Sequence, residues 1–208
     1  MKAKLTYVFD AYCGWCHGFG PAVTGFTAAN AGRIELDVVS GGLFTGARVA
    51  PIGTMPYVAG ANARIAELTG AEFGPGYLAL VADGRFRMDS TAAATGFAAL
   101  RTLAPERALE AAEAMQRAFY VDGLSLSEAD TYRHLAGQLG LDADTVLTGL
   151  AAATAATQDF TRAARLGVTS YPTLLLHTGT GVVRLGGPTS TAAQLTDALD
   201  HHLASVSA

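Results

Sequence analysis

Two cysteines separated by two residues, with a strand pattern before them and a helix pattern after them, constrain this chain more than any other feature. Cys13-Gly14-Trp15-Cys16 contains both cysteines of the 208-residue sequence. Residues 5–9 (LTYVF) are a short β-branched and aromatic run stopped by Asp10, which predicts a buried strand. From Cys16 to Asn30, Phe19, Val23, Phe26 and Thr27 recur at helical spacing. Pro21 falls near the expected start, where a missing N–H is tolerated. Residues 34–40 (IELDVVS) alternate like a second strand, so the first forty residues read strand–helix–strand, long enough for a parallel crossover. In that setting a CxxC is a redox motif. The free N–H groups and macrodipole at a helix start favour a thiolate on the first cysteine, and the second sulfur lies about one turn later. Cys13 is therefore the expected nucleophile toward a substrate disulfide, and Cys16 the thiol that resolves the mixed disulfide.

The middle of the chain differs in kind. Helical patterns cover 61–69, 91–103, 106–120, 128–139 and 143–156, with Ser90, Ser127 and Asp142 at expected N-caps and Pro105 in a first turn. A short helix is expected over 157–166. Strand chemistry then returns at 173–177 (TLLLH) and 182–185 (VVRL), joined by a Thr-Gly-Thr-Gly hairpin signal. A last helix is expected over 191–203, capped by Thr189 or Ser190. The expected organisation is an α/β sheet domain formed by residues 1–58 and 157–208, interrupted by an all-helical insertion at 59–156.

Composition narrows the function classes. Half the residues are hydrophobic, which excludes intrinsic disorder, and 14 basic against 18 acidic residues without a Lys/Arg run speak against a nucleic-acid partner. The uncharged windows at 11–32 and 166–183 are broken by Gly, Pro, Thr, Ser and His, so no membrane span of about 20 apolar residues is expected. Lys2 and Lys4 precede only five apolar-rich residues before Asp10, too few for an export signal, and the expected compartment is the cytoplasm. Two cysteines do not make a disulfide scaffold.

YVFDAYCGWCHGFGP at the start, GVTSYPTLLL at 167–176 and AFYVDGLSLSEADTYRHLAGQLGLD at 118–142 together resemble the DsbA-like branch of the thioredoxin-fold oxidoreductases over nearly the whole chain. The resemblance implies a thioredoxin-like fold with a helical insertion and protein disulfide oxidoreductase or isomerase activity. It implies that Cys13 is the nucleophile and Cys16 the resolving thiol, and that Pro172 is a cis-proline after Tyr171, with Tyr171, Pro172 and Trp15 contacting substrate. It implies no cofactor beyond the redox-active disulfide, with glutathione as a candidate co-substrate, and disulfide- or dithiol-containing proteins or small molecules as partners. Gly14-Trp15 stands where the most oxidising relatives carry Pro-His, so strong oxidant behaviour is not implied.

Several residues carry two readings. Asp10 is either a solvated strand-end residue or a buried carboxylate that takes a proton from Cys16, since burial would raise its pKa. Trp15 is read as an exposed apolar rim against a core residue, and Tyr12 as packing or lining the groove. Cys16-His17 completes a C-x-x-C-H haem pattern, but His17 is read as a polar first-turn residue, and zinc would lack a fourth ligand. Gly41-Gly42 is a turn rather than a phosphate loop, and His201-His202 a solvated helix end. His134 lies on an insertion helix without a nameable partner. Two rivals accompany the oxidoreductase reading: a glutathione-dependent transferase or isomerase on the same fold, and a redox-sensing binding module without turnover.

Overall fold

The computed structural model describes residues 2–151 and 154–206. Strand β1 (Ala3–Phe9) leads through Asp10–Cys13 into helix α1 (Gly14–Ala29), and β2 (Ile34–Ser40) follows. Two short 3₁₀ turns precede six helices: α2 (Val58–Thr69), α3 (Pro75–Asp83), α4 (Ser90–Leu103), α5 (Ala108–Tyr120), α6 (Ala129–Gln138) and α7 (Ala143–Gly149). The chain returns through α8 (Thr154–Arg165), β3 (Thr173–Thr178), β4 (Gly181–Arg184) and α9 (Ala192–Val206). The sheet order is β2-β1-β3-β4, with β1 and β2 parallel and the other two pairings antiparallel. This is a thioredoxin-like sheet with a helical segment inserted between its parallel and antiparallel halves.

The alternation of β1 assigns its side chains to two cores. Leu5, Tyr7 and Phe9 face α1, where Phe19, Val23 and Phe26 meet them, and this cluster continues into the inserted helices through Phe97, Phe119 and Leu135. Phe9 meets Phe97 of α4 edge-to-face at 4.9 Å between centroids. Val8 turns the other way, joining Val39 and Leu175 against Ala163 of α8. The burial of Phe9 and Phe97 in one cluster docks the inserted helices on the sheet, each large side chain contributing about 1.5–3 kcal/mol.

Element boundaries differ from expectation where local chemistry overrides pattern. Helix α1 starts two residues before Cys16, so Pro21 sits inside it, on the exposed face. The Asp89 carboxylate caps α4 by accepting from the Thr91 and Ala92 N–H groups, because the expected cap, Ser90, has its hydroxyl accepting from the Phe44 N–H. Helix α6 begins after Glu128 without a side-chain cap, so Ser127 is not its cap. Thr191 rather than Thr189 or Ser190 starts α9, through a reciprocal capping box in which its hydroxyl accepts from the Gln194 backbone N–H and the Gln194 side-chain Oε1 accepts from the Thr191 N–H. Asp142 does cap α7. The helix expected over 143–156 ends at Gly149, a second helix starts at Thr154, and residues 152 and 153 of that span lie outside the described residues. Helix α3, a short helix opened by Pro75 and closed by Gly84 at φ +73°, had no counterpart in the sequence pattern.

Candidate active site

Cys13 is the N-cap of α1: its backbone is extended, and its carbonyl accepts from the Cys16 and His17 N–H groups at 2.9 and 3.1 Å. That position lies at the positive end of the helix dipole, although the Cys13 side chain makes no capping hydrogen bond to the first turn. Both cysteines are free thiols, Cys16 fully buried and Cys13 only 5% exposed. Cys13 is thus less open than a freely accessible nucleophile. Its opening is a cavity of about 200 Å³ whose walls include Trp15, Tyr57, Val58, Ile65 and Tyr120. Helix α2 closes over the thiol turn because Gly14 lets it approach: a Cβ at that position would come within 2.9 Å of Ile65 Cδ1. Trp15 is half-buried and forms one wall of this cavity, instead of standing free as a rim.

Tyr171 and Pro172, 158 and 159 positions beyond Cys13 in the chain, come back to the thiols. The Tyr171–Pro172 peptide is cis, and the Cys13 thiol donates to the Tyr171 carbonyl at 3.5 Å. The Tyr171 ring rests on Gly41, where any Cβ would lie 2.3 Å from ring carbon Cε1, and its hydroxyl accepts from the Gly42 N–H at 3.1 Å. Gly41-Gly42 is therefore a turn, with the added duty of seating Tyr171.

Asp10 is completely buried, which removes the solvated strand-end reading. Its Oδ1 accepts from the Tyr12 N–H at 2.9 Å and its Oδ2 from the Leu43 N–H at 2.8 Å, while its own N–H donates to Cys16 Sγ at 3.5 Å. Burial pushes the Asp10 carboxyl up to about 6, against the lowering effect of those hydrogen bonds. Burial also holds the Cys16 thiol well above its ordinary range, with Cys13 adding to the effect. Two groups of raised pKa thus lie side by side, joined by the hydrogen bond from the Asp10 N–H to the Cys16 sulfur.

Tyr12 is buried and packs edge-to-face on Phe119 at 4.7 Å, while also lining the Cys13 cavity. The His17 ring stacks on Tyr120 at 4.8 Å and its Nε2 donates to the Glu72 carbonyl at 2.8 Å. Burial lowers its pKa. His17 is thus the polar first-turn residue expected, with its ring packed on Tyr120. Among the described residues, no group of three or more His, Cys, Asp or Glu side chains is arranged to hold a metal ion.

Sequence reasoning missed Arg101 and Asp159. Arg101 donates two hydrogen bonds to the Asp159 carboxylate, at 2.9 and 3.0 Å, and a third to the Val38 carbonyl at 2.7 Å. Asp159 also accepts from the Ser40 N–H at 2.9 Å. This pair ties α4 and α8 to the end of β2, just before the turn that seats Tyr171. The partners stand 58 residues apart, and no local signal marks either.

A model of the DSBA-like thioredoxin domain matches residues 4–200. The chain belongs to this family. No curated protein sequence matches it significantly. Among solved structures, it is similar to the cytosolic disulfide reductase DsbM from Pseudomonas aeruginosa, at 25% identity over 96% of this chain and 98% of that one, with a TM-score of 0.81. The same protein in complex with glutathione aligns at 24% identity over 99% and 100% of the two chains, with a TM-score of 0.76. A Nitrosomonas europaea protein, proposed by its name to be a protein disulfide isomerase, aligns at 21% identity over 99% of both chains, with a TM-score of 0.83. This DsbA-like chain therefore has the fold of a thiol–disulfide oxidoreductase with a CxxC pair. Among its described residues no helix is long and apolar enough to cross a membrane.

Proposed function

We propose that this DsbA-like protein is a thiol–disulfide oxidoreductase that reduces or isomerises disulfides, with Cys13 as nucleophile and Cys16 as resolving thiol. One observation carries the reading: two free thiols share the first turn of α1, with Cys13 facing the Tyr171 carbonyl and Cys16 buried next to Asp10. In the reductive direction the Cys13 thiolate attacks one sulfur of the substrate disulfide, and the other sulfur leaves as a thiol after taking up a proton. Cys16 passes its proton to Asp10 and attacks Cys13 Sγ, which closes the Cys13–Cys16 disulfide and expels the second substrate sulfur as a thiolate; that sulfur takes up a proton from water as Asp10 releases its own. The substrate gains two electrons, and a thiol reductant such as two molecules of glutathione restores the dithiol. Tyr171, Pro172 and Trp15 hold the substrate, Gly14 keeps the thiol turn close to α2, and no further cofactor or metal takes part.

The resemblance to DsbM supports glutathione as co-substrate and the cytoplasm as compartment. A second reading, a glutathione-dependent isomerase or transferase, is favoured by the small apolar cavity beside Cys13. Reduction of insulin or glutathione disulfide by the purified protein tests the first reading. Catalytic turnover that disappears in Cys13→Ser is the expected result. Absence of turnover, with both thiols titratable, would leave a redox switch in its place.

A further inference from the structure

A second cleft, of about 720 Å³, opens between α1 and α5 and reaches the C-terminal end of α6. Small-molecule sites fall in the range of about 300–1,000 Å³. Its walls include His17, Thr24, Glu113, Gln116, Arg117 and Leu139, and neither Cys13 nor Cys16 lines it. Gln116 is only 3% exposed, yet its amide Nε2 has no hydrogen-bond partner among the described residues. A buried donor left unpaired costs about 1–3 kcal/mol, and such groups are rare enough to call for an explanation. Nε2 has no accessible surface of its own, and Oε1 is the amide atom toward Gly20, so an acceptor oxygen in the cleft would pair with the nitrogen once the amide turns over.

The groups around Gln116 say what would bring that oxygen. Glu113, one turn earlier on α5, is half-buried and accepts from the Thr24 hydroxyl at 2.5 Å. Among the described residues no cation pairs with it, whereas its neighbour Glu110 is taken by Arg107. Burial raises the Glu113 pKa, with the Thr24 hydrogen bond acting against it. Arg117 is exposed at the cleft mouth. Gly20 keeps the opposite wall bare: a Cβ there would stand 3.4 Å from Glu113 Oε1 and 3.8 Å from Gln116 Oε1. A simple anion would meet Glu113, and a simple amine would leave Gln116 unpaired. A group with both charges satisfies both.

We propose that this cleft binds an α-amino-acid end group, its ammonium on Glu113 and its carboxylate on the Gln116 amide and the Arg117 guanidinium. A free amino acid and the γ-glutamyl end of glutathione present the same chemistry. The site stands apart from the disulfide exchange proposed above and does not depend on it.

Calorimetric titration of the full chain with L-2-aminobutyrate, butyrate and S-methylglutathione, which cannot exchange with thiols, tests the proposal. Saturable binding of aminobutyrate but not butyrate is expected, weakened about tenfold or more in Glu113→Gln and Gln116→Leu, each of which removes a hydrogen bond to a charged group. Arg117→Ala, at an exposed position, should weaken it without touching the fold, and thermal melts confirm that all variants are folded. S-methylglutathione binding that falls in the same variants identifies glutathione as a source. Its insensitivity to them, with aminobutyrate binding lost, identifies the free amino acid. No saturable binding of aminobutyrate or S-methylglutathione, or binding of both unchanged in the folded variants, overturns the proposal.

Discussion

Replacing Asp10 by asparagine separates the chemistry of this carboxylate from its packing. Burial holds the carboxyl at about 6 against an ordinary 3.8. At about 1.4 kcal/mol for each pKa unit, the ionised form costs the folded state on the order of 3 kcal/mol. Below pH 3.8 both folded and unfolded chains carry the proton and the cost is absent. As pH rises from about 3.8 to about 6 the unfolded state releases its proton first, so stability falls across that window and is level above it. An amide cannot ionise, so Asp10→Asn should abolish this slope. It also sets an N–H₂ group against the Leu43 or the Tyr12 N–H, a pH-independent loss of about 1–3 kcal/mol. The difference in unfolding free energy between the two proteins, from urea melts at about pH 4 to 7.5, isolates the titration. The kinetic consequence has the opposite sign: a base acts only when ionised, so turnover of the native protein should rise through about pH 6. Asp10→Asn should lower turnover at about pH 7 on the order of a hundredfold, the lower end of general-base effects, with little change below about pH 5. A difference in unfolding free energy that is flat with pH would refute the desolvated carboxyl, and an unchanged pH–rate profile would refute its part in the reaction.

Three further outcomes follow from the geometry. Cys16→Ser leaves the mixed disulfide on Cys13 without an internal resolving thiol, so substrate adducts should accumulate on non-reducing gels and disappear when Cys13 is also replaced. Gly41→Ala places a Cβ 2.3 Å from the Tyr171 ring at a position whose φ is not positive, so its effect is steric. It should cost about 1–3 kcal/mol in thermal melts and lower kcat/KM through displaced Tyr171. Asp159→Ala strands the Arg101 guanidinium and frees the Ser40 N–H, and should destabilise the protein by about 3 kcal/mol in urea melts. Restored stability in Asp159→Ala combined with Arg101→Met would identify the stranded charge as the cause.

The parts of this fold written locally were legible in the sequence. The β-branched alternation of Ile34–Ser40 gave both ends of β2, and the Cys13–Cys16 spacing after a strand gave the thiol turn. The start of α1 was displaced because Pro21 imitates a first-turn proline although it lies on the open face in mid-helix, while Trp15, four residues before Phe19, already belongs to the helical period. Helix α3 carried a readable Pro75 and Gly84, but its apolar residues do not form one stripe: Tyr77 is buried and Leu78 is half exposed to water. Ser90 was a plausible cap whose hydroxyl was claimed by a residue 46 positions away. Asp10 is the sharpest case. Its two readings differ only in burial, and burial is decided by the Leu43 turn and the docked helices, which no window around Asp10 contains.

Four consecutive backbone N–H groups hold the site together, and their partners explain why its chemistry could not be read from the CxxC motif alone. Ser40 donates to Asp159, Gly41 to the Phe9 carbonyl, Gly42 to the Tyr171 hydroxyl and Leu43 to Asp10. Each donor serves a different element: α8, the end of β1, the loop before β3, and the turn leading to the thiols. The carboxylate proposed to take the Cys16 proton and the tyrosine whose carbonyl faces Cys13 are therefore fixed by adjacent peptide units. A shift of this turn would move the base and the substrate-facing loop together. The Arg101–Asp159 pair anchors its first residue and Gly41 leaves room for its third partner, so the rigidity of the turn is supplied from α4 and α8, far from the sulfurs. The motif supplies the two thiols, and the turn after β2 fixes the carboxylate and the tyrosine that stand beside them.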